Sequence, residues 1–340
     1  MKHQLKDFNL EELEKFIISN GYPKYRAKQI YTWLFKNCTS KAEEMYNLSN
    51  DLKKFIEETC ITDTLKLSKK IESNETTKFL FQTQSNHLIE SVSMIENDRH
   101  TICLSSQVGC AVDCDFCATG KMGFKKNLSS GEIIDQLLFI KKNIKNPITN
   151  IVFMGMGEPF LNYKNVIKAA DLIHDSKALN FGSNRITIST AGVLPKIDQW
   201  INDKIPYNLA ISLNGANNAI REKIMPINRK WPIEDLIASS KVYNKLNRKK
   251  ITFEYVLIDK INDSVSDAHE LASLLKNSSC KLNIIPFNEI GTEYKRPSNS
   301  TINNFVDTLK AVQKGFKVLV RWSNGVDIDA GCGQLAIKEN

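Results

Sequence analysis

Three regimes of apolar and polar positions succeed one another along the chain. Up to about residue 70 the apolar residues recur at helical spacing. "NLEELEKFIISNGY" (9–22) opens on Asn9, a suitable N-cap. "PKYRAKQIYTWLFK" (23–36) starts at Pro23 and mixes Lys24, Arg26, Lys28 and Lys36 with Tyr25, Tyr31, Trp33 and Phe35. The aromatics Trp33 and Phe35 read as core and the cations as candidates for phosphate contact. "MYNLSNDLKKFIEET" (45–59) makes a third helix. Residues 77–105 then switch to short alternating or apolar runs broken by polar turns: "TKFLFQT", "HLIESVSMI" and "HTICLSS", the pattern of strands.

The third regime is a regular alternation. Helix "SSGEIIDQLLFIKKN" (129–143) is capped at Ser129 or Ser130 and has Glu132 in its first turn. Strands "ITNIVFMG", "NRITIST", "YNLAISL", "KITFEYVLI", "KLNIIPF" and "FKVLVRW" follow, with helical patterns between them. Such alternation means βα units around a parallel sheet. Polar or glycine-rich residues recur at the strand C-terminal ends: "MGMGEP" (154–159), Ser189 and Thr190, "SLN" (212–214) and "PFN" (286–288). A doubly wound sheet gathers its ligand site at one switch point, whereas a barrel builds it from many strand ends. The distribution predicts an α/β fold with an incomplete barrel. The predicted organisation is a helical domain over 1–75, a β extension over 76–105, the barrel over 106–325 and a C-terminal loop over 326–340.

Composition narrows the setting. The 340 residues suffice for one large domain and a smaller one. No run approaches the roughly 20 apolar residues of a membrane span. "MKHQLKDFNLEELEKF" is charged throughout and lacks a signal-peptide core, so a cytoplasmic protein is expected. No self-complementary stripe stands out, which favours a monomer. The net charge of +8 admits a polyanionic partner without distinguishing one from a merely solvated surface.

Eight cysteines in a reducing compartment point to metal or catalysis rather than structural disulfides. Cys38, Cys60 and Cys280 lie among apolar or helical residues and read as small buried hydrophobes. Cys110, Cys114 and Cys117 form CxxxCxxC within "SSQVGCAVDCDFCATGKMGF" (105–124). Structural zinc sites usually pair two knuckles, and no second knuckle is present. An iron–sulfur cluster on three thiolates fits better, and it leaves one iron open.

These residues resemble the radical S-adenosylmethionine (SAM) superfamily. There the amino and carboxylate groups of SAM take the open iron. The resemblance therefore implies a partial (β/α)6 radical-SAM barrel, with a [4Fe-4S] cluster on Cys110, Cys114 and Cys117 and SAM beside it. It also implies that Gly157 and Glu158 of "MGMGEP" meet the SAM ammonium, with Gly155 and Gly157 letting backbone approach the ligand closely. A closer resemblance, over nearly the whole chain, is to the RlmN family of adenine-C2 methyltransferases of 23S rRNA and tRNA, and to their relative Cfr. It is carried by "YRAKQIYTWLF", "SSQVGCAVDCDFCATG", "NLSSGEIIDQ", "ITNIVFMGMGEP", "RITISTAGV", "LAISLNGAN", "IMPIN" and "DIDAGCGQLA".

What the resemblance implies is chemically coherent. C2 of adenine is electron-poor, so displacement on SAM cannot methylate it, but a carbon radical can add there. Cys332 would accept a methyl from one SAM. A 5′-deoxyadenosyl radical from a second SAM would remove a hydrogen from it. The methylene radical would add to C2, Glu90 of "LIESV" would accept the C2 proton, and Cys103 would release the product through a transient disulfide with Cys332. Ser189, Ser212, Leu213, Asn214 and Asn288 match SAM contacts. Asn214 stands where many members carry His, and asparagine can hydrogen-bond but cannot be cationic. The implied partners are 23S rRNA near the peptidyl-transferase region, tRNA at the adenine next to the anticodon, and an electron donor such as a flavodoxin or ferredoxin. Lys121, Lys125 and Lys126 beside the cluster loop are further candidates for RNA contact, while "NRKK" (247–250) reads as a solvated helix end. Two alternatives stand beside this reading: C8 methylation of the Cfr type, and a non-catalytic, metal-stabilised RNA-binding module.

Overall fold

Helices begin where the sequence caps them. The computed structural model describes residues 2–247 and 249–337. Helix α1 (Leu10–Ser19) starts behind Asn9, whose side chain accepts from Glu12 N while the Glu12 carboxylate accepts from Asn9 N. This capping box satisfies two otherwise orphaned donors. With α2 (Tyr25–Phe35) and α3 (Asn50–Thr59) it closes a small helical unit over Leu13, Ile17, Ile30, Leu34, Phe35, Leu52 and Ile56. Phe35 is core, as its pattern implied; Trp33 is only half-buried and packs edge-on against Tyr46, which is 80% exposed.

Helix ends at Thr59. The following residues, expected to stay helical to about 70, form strand β1 (Leu65–Ser73) instead. Leu65, Leu67 and Ile71 are its inward positions, and a register shift between Leu67 and Lys69 obscures the period of two. Strands β2 (Thr76–Thr83), β3 (Leu88–Glu96) and β4 (Arg99–Cys103) continue an antiparallel meander.

Strand β4 also opens a parallel series. β5 (Asn150–Phe153), β6 (Ile186–Thr190), β7 (Asn208–Ser212), β8 (Ile251–Leu257), β9 (Cys280–Pro286) and β10 (Lys317–Val320) follow in simple order. Each step crosses over through one main helix: α4 (Ser130–Asn143), α5 (Tyr163–His174), α6 (Leu194–Asn202), α7 (Ile233–Asn247), α8 (Val265–Leu274) and α9 (Asn299–Val312). Six crossovers make the expected partial (β/α)6 barrel. Strand β1 lies at one edge of the ten-stranded sheet and β10 at the other, so the sheet stays open. Residues such as Ile151, Phe153, Ile188, Ile211, Phe253 and Ile284 fill the core and leave the strand C-terminal ends to carry polar groups.

The helical unit is tied to the barrel at the start of α4. Asp7 Oδ1 accepts from Gly131 N at 2.6 Å and from Ser130 Oγ at 2.9 Å, where the helix dipole favours a carboxylate. One turn on, the Lys6 ammonium pairs with Asp135, both almost fully buried. The second Asp135 oxygen accepts from Thr64 N at 2.7 Å and Thr64 Oγ1 at 2.5 Å. Truncating Asp135 to Ala strands a buried cation and is expected to cost about 3–5 kcal/mol in urea unfolding, whereas the double variant K6M/D135L should recover much of that loss.

Candidate active site

The loop after β4 carries the three clustered cysteines into a cleft at the C-terminal ends of the parallel strands. The cleft encloses about 1030 Å³, its open mouth included. Cys110, Cys114 and Cys117 line it together with Cys103, the last residue of β4, and Cys332 from the C-terminal loop. Burial pushes the Cys110 thiol up to about 12 and Cys114 well above its ordinary value, and the neighbouring Cys117 adds to both. Thiols this costly to ionise need cations to hold them as thiolates, and cluster irons would supply those. No three His, Cys, Asp or Glu side chains among the described residues gather closely enough for a single metal ion. Buried acceptors lie close by: Glu254 Oε1 on the cleft wall, which has Arg321 as its ion-pair partner but accepts no hydrogen bond, and Asn288 Oδ1 behind the C-terminal loop, also without a hydrogen bond. The donor set fits a [4Fe-4S] cluster, and the Glu254 carboxylate on the cleft wall fits the ammonium or hydroxyl donors of SAM.

The "MGMGEP" turn serves packing as well as the cavity. A Cβ on Gly155 would stand 2.7 Å from Ser105 Oγ and 2.8 Å from Leu104 O. Gly157, at φ +98°, would place a Cβ 2.4 Å from that of Gln107. The close approach expected toward a ligand is therefore, in the first place, an approach to the segment after β4. Both glycines still line the cleft. Glu158 is buried; Oε1 accepts from Phe160 N at 2.9 Å and Oε2 from Ala191 N at 2.7 Å. Its carboxylate braces the end of β6 against the turn, which leaves its main chain and residual charge for the cleft.

The other expected SAM contacts divide. Ser189 and Ser212 line the cleft; Ser189 Oγ donates to Glu254 Oε2 at 3.4 Å. Leu213 and Asn214 are buried behind it. Asn214 Oδ1 accepts from Val256 N at 2.8 Å and its Nδ2 donates to Met225 Sδ at 3.2 Å, so this side chain is committed to the scaffold. The Asn288 amide donates to Cys332 O at 3.0 Å and to Ser323 Oγ at 2.8 Å. It anchors the C-terminal loop.

Two hydrogen bonds stitch that loop to the cysteine loop. Ala118 N donates to Gly333 O at 2.8 Å, and Thr119 Oγ1 to Leu335 O at 2.5 Å. Cys332 is accessible through the open cleft, yet the surrounding walls push its thiol up to about 12; nearby Glu254 adds to the rise and Arg321 opposes it. Cys103 is buried and raised to about 11, again opposed by Arg321. Both are free thiols, so the pairing expected between them is not formed in this structure.

Three contributing residues escaped the sequence reading. Glu254 and Arg321 face each other across the cleft with Nη1 and Oε1 3.8 Å apart. Their signal was a carboxylate inside the apolar run "ITFEYVLI" and a cation closing "FKVLVR". Arg221 is fully buried and donates to Leu213 O at 3.1 Å, Ala191 O at 2.6 Å and Asn228 Oδ1 at 2.9 Å, tying the ends of β6 and β7 together behind Cys114.

Glu90 lies outside the cysteine cleft. It faces an adjoining cavity that the C-terminal segment roofs through Asp329, Ala336 and Ile337. Its Oε1 is 3.1 Å from Lys78 Nζ, and its Oε2 is buried without a partner. Burial raises its pKa and Lys78 pulls it back. Leu335 lines the cleft and Ala336 the neighbouring cavity, so the C-terminal segment is the partition. Of the lysines beside the cluster loop, Lys121 pairs with Asp115 at 2.5 Å and Lys126 with Glu132 at 3.0 Å, while Lys125 is exposed. Within "NRKK", Arg248 lies outside the described residues.

Comparison with known proteins agrees with this architecture. The radical SAM superfamily model matches residues 104–275, and its members work with a [4Fe-4S] cluster and SAM. The ribosomal RNA large subunit methyltransferase N-terminal domain matches residues 3–62. A dual-specificity RNA methyltransferase RlmN from Geobacter sulfurreducens is 40% identical over 97% of this chain and 91% of its own. One from Buchnera aphidicola is 43% identical over 98% and 96%. The crystal structure of a radical SAM methyltransferase from Sphaerobacter thermophilus superposes with a TM-score of 0.94 at 40% identity, covering 98% of this chain and 99% of that one. With its cysteine cleft, its partial barrel and its N-terminal helical unit, the chain belongs to the RlmN family of radical SAM RNA methyltransferases.

Proposed function

We propose that this enzyme methylates C2 of an adenine in 23S rRNA and in tRNA by way of a methyl group carried on Cys332. The observation that carries the reading is the meeting of five cysteines in one cleft: three with the spacing of cluster ligands, and two brought in from the end of β4 and from the far end of the chain. Cluster and SAM, when bound, supply a methyl group to a thiolate and, through reductive cleavage of SAM, a radical that abstracts hydrogen.

The chain's own residues do the rest. Cys332 gives up its proton and takes the methyl, and Arg321 favours the thiolate that this step needs. One hydrogen atom leaves the carried methyl, and its carbon bonds to C2 of the adenine. Loss of the C2 proton to Glu90 and of one electron, which the oxidised cluster held by Cys110, Cys114 and Cys117 would take back, restores the aromatic ring. The Cys103 thiolate then attacks the Cys332 sulfur. An S–S bond forms, the S–C bond breaks, and the carbon takes a proton to become the product methyl. Two electrons must later reduce the disulfide, and a flavodoxin- or ferredoxin-type donor feeds the cluster. For Glu90 to reach the base, the partition at Leu335–Ala336 has to shift when RNA enters. The cations of 24–36 and the exposed Lys125 offer phosphate contacts, and the absence of a helix long and apolar enough to cross a membrane among the described residues accords with work in the cytoplasm.

Anaerobic reconstitution with SAM and an rRNA fragment, followed by mass analysis against C2- and C8-methyladenine standards, tests the assignment; the C2 product is expected. Cys332→Ala should abolish turnover, and methylation that persists in it would end the carrier role. Cys103→Ala should accumulate an RNA–protein adduct on denaturing gels, at a stoichiometry approaching one per active site.

The Glu90 role makes its own prediction. A proton acceptor must be ionised, and Lys78 holds the Glu90 pKa down against burial. Lys78→Met should therefore move the acid limb of the kcat/KM profile to higher pH, while Glu90→Gln should remove most activity at every pH. An unmoved limb in Lys78→Met would argue against Glu90 as the base.

A further inference from the structure

We propose that Trp322 and Arg296 form a stacking platform for the base next to the target adenine; the proposal rests on the RNA methyltransferase reading above. A second cavity of about 500 Å³, open side included, adjoins the catalytic cleft. The two share walls at Met94, Arg321 and Cys332. Trp322 lines this antechamber with 48% of its surface exposed, a large indole left in water one step from the reacting sulfur. The Arg296 guanidinium sits over the ring, 5.3 Å from its centroid. Core packing does not account for the indole, since Trp322 belongs to neither hydrophobic cluster.

The platform is indexed to the chemistry. Ser323, the next residue, accepts from the same Asn288 amide that donates to Cys332 O. The indole and the carrier sulfur are therefore held from one point, and a base on the ring would have a fixed offset from the cleft.

The chemistry of the walls selects the occupant. A base that enters the cleft must leave its stack, and its neighbour in the strand loses a partner. An aromatic face one nucleotide away replaces that partner without demanding a sequence, because every base has a π-face. Arg296 strengthens the ring's hold through its cation–π contact and stands ready for the backbone phosphate. Glu96 and Thr101 line the same cavity, and Arg296 does not. The Glu96 carboxylate repels a phosphate but accepts from base N–H groups, so the geometry takes the base inward and leaves the phosphate outside with Arg296.

The test uses the full-length, anaerobically reconstituted enzyme and an anticodon stem-loop whose target is the adenine next to the anticodon. Two further stem-loops carry an abasic nucleotide immediately 5′ or 3′ of that adenine. Wild type should lose about tenfold in affinity with one of the two, within the range of base–aromatic stacking. Trp322→Ala should bind the intact stem-loop about tenfold more weakly, with the loss seen in KM more than in kcat, and should be indifferent to that same abasic site. Trp322→Phe should retain most of the binding, which separates stacking from a folding defect. Arg296→Gln should lower the slope of log affinity against log salt by about one. Wild-type affinity in Trp322→Ala, or undiminished sensitivity to both abasic sites, would overturn the platform. Wild type failing to methylate the intact stem-loop and an rRNA fragment alike would instead overturn the methyltransferase reading on which it rests.

Discussion

The sulfur proposed to carry the methyl stands on the C-terminal loop, and the cysteines that would hold the cluster stand on the first loop of the barrel. Two short hydrogen bonds join them, from Ala118 N to Gly333 O and from Thr119 Oγ1 to Leu335 O. That stitch, with the Asn288 amide on Cys332 O, holds the two loops against each other. One bond runs between main chains and the other needs the Thr119 hydroxyl, so the stitch is set by the path of the backbone and by one side chain. The parallel sheet brings the two loops to the same end of the molecule, and the stitch fixes their offset.

Charge inside the scaffold serves the same end. Arg221 is fully buried, and Leu213, Ala191 and Asn228 take up its donors, so strand ends that would otherwise splay are drawn together under Cys114. Burial lowers its pKa to about 10, well above neutrality, and it stays charged. Glu158 does the complementary work from the turn after β5 by accepting main-chain N–H groups. Removing either partner of such a network leaves a charged or polar group desolvated, the costliest kind of defect in a protein interior.

The alternation after residue 129 was legible because each helix buries a stripe and each strand a run, and those two periods differ enough to read directly. Strand β1 was not, because "LKLSKKIES" carries few apolar residues and a register shift breaks their spacing. The five cysteines of the cleft were legible from their chemistry and from the motifs around them. Glu254 and Arg321 were not, since a charge in a strand reads as solvated until the curvature of the sheet turns it inward. Asn214, Asn288 and Glu158 show a different limit. An amide or a carboxylate satisfies a ligand and a main-chain donor equally well, and only the folded contacts reveal how much of each is already committed.

The helical unit adds a mechanical consequence. Its seat on α4 includes a desolvated ammonium–carboxylate pair, Lys6 with Asp135, and an aspartate at the helix start. A desolvated charge pair tolerates little sliding, because any displacement exposes unpaired charge to an apolar surround. The span between the cation-bearing α2 and the sulfur of Cys332 is thereby fixed when the chain folds.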